Sequence, residues 1–178
     1  MPAQDDILIT LTRATKDERH LVRYFFVCFF NDLAQYDPNI ILNKYGLPIW
    51  SLTPGGENIQ TVGECADFNW WIRDKCEHWI IRVDGIPAGS ILILADKHHL
   101  PDGVDFELLD FYITPKYRRQ GVGKAAARLA FDLHHGDWQV FELSRNAPAI
   151  KFWHVVISEY THNNFQDLDN GTQQRFRN

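Results

Sequence analysis

The hydrophobic and polar positions along this 178-residue chain change period several times, and each change predicts an element. The β-branched run "ILITL" at 7–11 predicts a strand. In "TKDE", Thr15 and Glu18 form a capping-box pattern. Leu21, Phe25, Cys28, Phe29 and Leu33 then recur at helical spacing, which predicts a helix to about Tyr36, ended by Asp37-Pro38. Residues 38–64 carry Pro38, Pro48, Pro54, Gly46, Gly55, Gly56 and Gly63, and predict a long loop holding no more than a short helical turn. A second helix is read within "GECADFNWWIRDKC" at 63–76.

The strongest local signal follows. Two apolar runs, 78–83 and 86–94, flank Asp84-Gly85 and predict an antiparallel hairpin. "FELLDFYI" at 106–113 predicts a third strand, stopped by Pro115. Val122, Ala125, Ala126, Leu129, Ala130 and Leu133 then share one helical face, which Gly136 closes. "WQVFEL" at 138–143 is the next strand, so a crossover should join it in parallel to 106–113. Asn146 and Pro148 open a further helix to Tyr160, and Asn170-Gly171 suggests a hairpin within 161–178.

Composition narrows the function. Hydrophobic residues make up 45% of the chain, enough for a core, and the length fits one domain. A net charge of -5 argues against a nucleic-acid binder. Cys28, Cys65 and Cys76 form neither a disulfide framework nor a metal clip, which suits a reducing cytoplasm. The N-terminus has no leader-like pattern and no apolar run is long enough to span a bilayer, so no membrane partner is expected. The histidine pairs His98-His99 and His134-His135 are poor chelators, and no metal is expected.

Against that acidic background, Arg118, Arg119 and Lys124 cluster at the start of a helix, where the macrodipole disfavours cations. An anion would reverse that sign. The free N–H groups of a first helical turn form an anion site, and Gly121 and Gly123 would let a phosphate approach the backbone. A Walker A loop fails, because Arg118 and Ala125 stand where it needs a glycine and a Ser or Thr. Gly121, Gly123, Ala126 and Glu142 match a dinucleotide fingerprint, but the loop 115–121 is too long and too little chain follows the next strand.

"YITPKYRRQGVGKAAARLAF" resembles the signature of the GNAT superfamily of N-acetyltransferases, with R-x-x-G-x-G at Arg118, Gly121 and Gly123. Asn146, Ala149, Phe152 and Trp153 are similar to that family's last core helix, and the likeness is good over 78–160. The resemblance implies an α/β (α+β) fold: a mixed, mostly antiparallel sheet whose central parallel pair, 106–113 and 138–143, splays for coenzyme A, with helices on both faces. It also implies one domain over 1–178, in which 36–76 is the variable substrate-side segment.

By the same resemblance, backbone groups of Phe111, Tyr112 and Ile113 would pair with pantetheine. Arg118, Arg119, Gln120, Gly121, Val122, Gly123 and Lys124 would hold the diphosphate, and Asn146, Phe152 and Trp153 would complete the acetyl-CoA site. Free amine is scarce at neutral pH, so a base, direct or through water, is useful. Glu107 and Asp110, on the strand that should flank the thioester, are the candidate bases. The resemblance places the base at Glu107, and a regular strand would turn Asp110 to the opposite face unless it is bulged. The tyrosine that protonates the leaving thiolate in many relatives is replaced by Trp153, with Tyr160, Tyr112 or His154 as substitutes. The implied reaction is acetyl transfer to a small-molecule or peptide amine. The alternative is a non-catalytic acyl-CoA-binding or partner-binding domain, and a homodimer is left open. Tyr36, Asp37, Tyr45, Trp50, Glu57 and Trp71 could together cage a cationic acceptor.

Overall fold

The computed structural model describes residues 7–70 and 73–178. In chain order it contains β1 (Ile9–Arg13), α1 (Arg19–Leu33), β2 (Ile40–Leu42), β3 (Pro48–Trp50), α2 (Val62–Phe68), β4 (Cys76–Val83) and β5 (Ile86–Leu94). There follow β6 (Phe106–Ile113), α3 (Val122–Phe131), β7 (Asp137–Phe141), α4 (Ala147–Tyr160), β8 (Gln166–Leu168) and β9 (Gln173–Arg177). A seven-stranded sheet runs β1-β4-β5-β6-β7-β9-β8, and β2 and β3 form a separate hairpin. Only β6 and β7 are parallel; the other neighbours in the large sheet are antiparallel. The Asp84-Gly85 turn has positive φ at both residues, as a two-residue hairpin requires.

Each sheet face carries its own apolar cluster. Ile81, Ile91, Ile93, Leu108 and Trp138 pack with Val122, Ala126, Phe131, Trp153 and Ile157 of α3 and α4. On the other face, Ile80 and Leu92 pack with Val22, Phe26 and Phe30 of α1 and with Cys65 and Ala66 of α2. The period-2 alternation of the strands is what divides these sets.

Two expected elements differ. The helix after β1 begins at Arg19 rather than near Thr15, because the Thr15 hydroxyl donates to the Glu18 carboxylate instead of accepting a helix N–H. Glu18 is also held by Arg82 across the fold. The same T-x-x-E pattern does cap a helix at Thr61 and Glu64, where both reciprocal bonds form and start α2. The expected loop 38–64 contains the β2–β3 hairpin, whose three-residue strands are too short to show a period.

Where β7 ends, Glu142 is 4% exposed and neither carboxyl oxygen has a hydrogen-bond partner among the described residues. Burial, with a smaller push from Asp167, raises its pKa to about 8 against some help from Gln174. The folded protein therefore keeps a proton that the unfolded chain loses near pH 4.5. Stability should fall by about 1.4 kcal/mol per pH unit between those two values. Glu142→Gln should remove this slope and be the more stable form at pH 9, as denaturant unfolding from pH 5 to 9 would show.

Candidate active site

The parallel pair is where the sheet opens. β6 and β7 are paired only at Phe106↔Trp138, Glu107↔Gln139 and Leu108↔Val140. Beyond Leu108 the strands part, and Leu109 is an extra residue in β6, because Leu92 faces Asp110 while Ile93 faces Leu108. This bulge decides the orientation of the carboxylates. Phe106 and Leu108 lie on the α3–α4 face before it, and Phe111 and Ile113 on the same face after it. Glu107 and Asp110 therefore share the α1–α2 face, although a regular strand would have separated them.

Their environments differ. Asp110 is clamped by Arg73, with Nε donating to Oδ2 at 2.7 Å and Nη2 to Oδ1 at 3.2 Å. Arg73 also donates to the Asn69 carbonyl at 2.8 Å and lies 4.0 Å from the Phe26 ring centroid. The Asp110 side chain is buried and that of Arg73 is 14% exposed. Asp110 is thus an acceptor already filled by a guanidinium, which ties the segment after α2 to the floor of the gap. Among the described residues Glu107 accepts only from Gln139 Nε2, at 3.0 Å. Burial raises its pKa, the Gln139 bond opposes that, and the Asp110 charge adds to it. The structure leaves Glu107 as the basic carboxylate and Asp110 as the anchor.

The glycine loop leads from β6 into α3. Arg119 and Gly121 have φ of 59° and 80°, and no side chain lies within 4 Å of where a Gly121 Cβ would stand. Among the described residues no acceptor takes the main-chain N–H groups of residues 119–124. Val122 is fully buried and pins the loop to the core, while a Gly123 Cβ would meet the Phe152 ring at 3.4 Å. A cradle of unpaired N–H groups with open space beside a glycine fits a diphosphate.

The three cations are used differently from the expectation. Arg118 donates to the Ile113 carbonyl at 2.7 Å, pairs with Asp32 of α1 and covers the Tyr112 ring. Lys124 pairs with Glu159 of α4, which Arg128 also approaches at 3.4 Å. Arg119 is exposed and has no such partner among the described residues. Two of the charges that seemed to demand an external anion are thus balanced within the fold by Asp32 and Glu159, which no sequence motif links to the loop. Gln120 Nε2 donates to the Lys116 carbonyl.

The remaining expected residues separate. Asn146 caps α4 by accepting from the Ala149 N–H. Phe152 and Trp153 pack edge-on to each other and against Phe111. Tyr160 donates to Asp132 at 2.8 Å, accepts from Asn178 at 3.2 Å and packs on Phe131. It lies on the α3–α4 face, and the structure does not bring it to Glu107. Tyr112 is buried, and desolvation pushes its pKa up to about 12. Of the residues read as an aromatic cage, Trp50 packs on Phe30, Asp37 accepts from Asn39 and Glu57 accepts from Asn58. Trp71, also part of that reading, lies outside the described residues. Sequence reasoning missed Arg73, which reaches Asp110 from the turn after α2, and Gln139 and Arg175, which meet through cross-strand register rather than local spacing.

A model of the acetyltransferase (GNAT) family matches residues 48–155, more than half of the chain. The chain belongs to the GNAT family. It is therefore an N-acetyltransferase with acetyl-CoA as its co-substrate. Solved structures agree in fold at low identity. An aminoglycoside acetyltransferase in complex with coenzyme A aligns at 12% identity and TM-score 0.57, over 96% of this chain and 95% of its own. A mutant of the Vibrio cholerae spermidine N-acetyltransferase aligns at 14% identity and TM-score 0.52, over 95% and 93%. The PaiA N-acetyltransferase of Thermoplasma acidophilum, in complex with coenzyme A, aligns at 14% identity and TM-score 0.51, over 96% and 99%. No curated protein sequence matches. Among the described residues no helix is long and apolar enough to cross a membrane, and no group of three or more His, Cys, Asp or Glu could hold a metal.

Removing one partner of a buried ion pair strands the other's charge, at a cost of about 3–5 kcal/mol. Asp110→Asn should therefore lower stability by about that amount, with Glu107→Gln changing it far less. Urea unfolding of the two variants side by side checks this; equal stabilities would show that Asp110 is not the anchor.

Proposed function

We propose that the chain acts as one domain that transfers the acetyl group of acetyl-CoA to a primary amine, with Glu107 as general base at the opening between β6 and β7. The observation that carries this reading is the bulge at Leu109. It turns Asp110 onto the face of Glu107, just beyond the last β6–β7 pair. Glu107, of raised pKa, has one amide partner and no cation bound to it among the described residues, which supports Glu107 as the free base. The N–H groups of residues 119–124 and the Arg119 side chain would bind the diphosphate. Arg118 would hold the loop in shape through Asp32, and Phe152 would set α4 against the first turn of α3.

In the reaction the amine nitrogen forms a bond to the thioester carbonyl carbon and the C–S bond breaks. The amine proton passes to Glu107, directly or through water, and the electron pair of the broken bond leaves on sulfur. Trp153 stands where a tyrosine would otherwise serve as acid, and an indole N–H has no useful acidity. The sulfur can leave as thiolate, because a thiol of pKa near 8.5 is a tolerable leaving group. The raised pKa of Glu107 favours the transfer, since a stronger base accepts the amine proton more readily.

Activity should rise with pH through an inflection above the ordinary glutamate range, as Glu107 loses its proton. Glu107→Gln should lower kcat by about 10²–10⁴-fold and abolish that inflection. Thiol release from acetyl-CoA against pH measures both, and an unchanged profile would assign the base elsewhere. Gly121→Val should weaken coenzyme A binding at least about tenfold, because the side chain enters the cradle. It should also cost about 1–2 kcal/mol of stability, because φ is positive there. Calorimetric titration with coenzyme A reads the first effect, and undiminished affinity would remove the diphosphate from this loop.

A further inference from the structure

β9 lies against β7 and presents three residues to the face that carries Glu107. The cross-strand partners are Asp137↔Arg177, Gln139↔Arg175 and Phe141↔Gln173. Arg177 meets a carboxylate, with Nη1 2.6 Å from Asp137 Oδ2. Arg175 meets only an amide: its Nε donates to Gln139 Oε1 at 3.0 Å. Among the described residues nothing accepts from its two Nη groups, and no acid pairs with it. Gln173 Nε2 donates to the same Gln139 oxygen at 2.5 Å, so both acceptor sites of that oxygen are filled. Gln139 Nε2 in turn donates to Glu107 at 3.0 Å. Glu107, Gln139 and Arg175 thus form one row across three adjacent strands, with the guanidinium fork left over at its end.

We propose that Arg175 binds a carboxylate of the acceptor while the acceptor's amine lies at Glu107, so that the substrate is an amino acid or another amine carrying a carboxylate. This rests on the proposed role of Glu107. Two hydrogen bonds and one amide width separate the Arg175 Nε from the Glu107 oxygen, roughly 8 Å at most. A compact zwitterion spans that distance. The fork geometry of a guanidinium suits a carboxylate, and Gln139 holds it in place, so little ordering is left for binding. A polyamine would instead bring a second ammonium toward an unneutralised Arg175, and like charges at such range repel. The substrate would then differ from spermidine and aminoglycosides, the compounds named for the similarly folded enzymes.

The test is calorimetric titration of the full chain, with and without coenzyme A. The probes are glycine, β-alanine and γ-aminobutyrate, which bracket the separation of amine and carboxylate, and the carboxamide of each. At least one acid should bind wild type roughly tenfold or more tightly than its own amide, and Arg175→Gln should erase that difference while leaving amide binding unchanged. Arg175→Leu serves the same purpose if the glutamine variant does not fold. If Arg175 only adjusted Glu107, acid and amide would weaken together. That result, a preference surviving both substitutions, or no acid preferred over its amide in any pair, binding or not, overturns the proposal. Thiol release from acetyl-CoA is followed in parallel. Acid preference without transfer would remove the acetyl-transfer role of Glu107 and keep the carboxylate site; transfer without acid preference would do the reverse.

Discussion

The extra residue at Leu109 is the constraint on which the site depends. A sheet strand repeats every two residues, so one inserted residue exchanges the faces of everything beyond it. In β6 the exchange lets Glu107 and Asp110 look the same way while Leu108 and Phe111 stay in the core under α3 and α4. It also marks where β6 leaves β7, because the pairing stops at Leu108↔Val140. The opening and the turn of Asp110 onto the face of Glu107 thus fall at the same place in β6.

Two carboxylates on one face would repel, and the fold resolves this by giving them different neighbours. Asp110 takes the Arg73 fork and becomes the link between the segment after α2 and the sheet. Glu107 takes a neutral amide, and burial keeps its proton affinity high. The same economy appears at the glycine loop. Asp32 and Glu159 absorb Arg118 and Lys124, so that the loop is braced by α1 on one side and α4 on the other. What is left for a ligand is a set of main-chain N–H groups and one exposed arginine, a site shaped more by backbone geometry than by net charge.

Some buried polar groups lie outside this scheme. Glu142 and Gln174 sit below α4, away from the face of Glu107, and the Glu142 oxygens and Gln174 Oε1 lack partners among the described residues. Their polarity is costly where it stands, and its main consequence is a pH dependence of stability rather than of chemistry.

Local pattern by itself determined most of the elements. The β4–β5 hairpin, β6, α3, α4 and the glycine loop follow from turn residues, periodicity and caps that act over a few residues, and their positions in the chain were legible for that reason. Tertiary structure decided which acid is clamped by an arginine, which cations pair within the fold, and what lies beside the gap. Thr15 and Thr61 show the limit most plainly: the same T-x-x-E spacing caps a helix at Thr61 and not at Thr15, whose hydroxyl donates to Glu18, a carboxylate that Arg82 also holds from β4. The pairs Arg73 with Asp110, Arg118 with Asp32 and Arg175 with Gln139 join residues 37, 86 and 36 positions apart. Coulomb and hydrogen-bond energies depend on distance in space, and a pattern read along the chain carries no term for it.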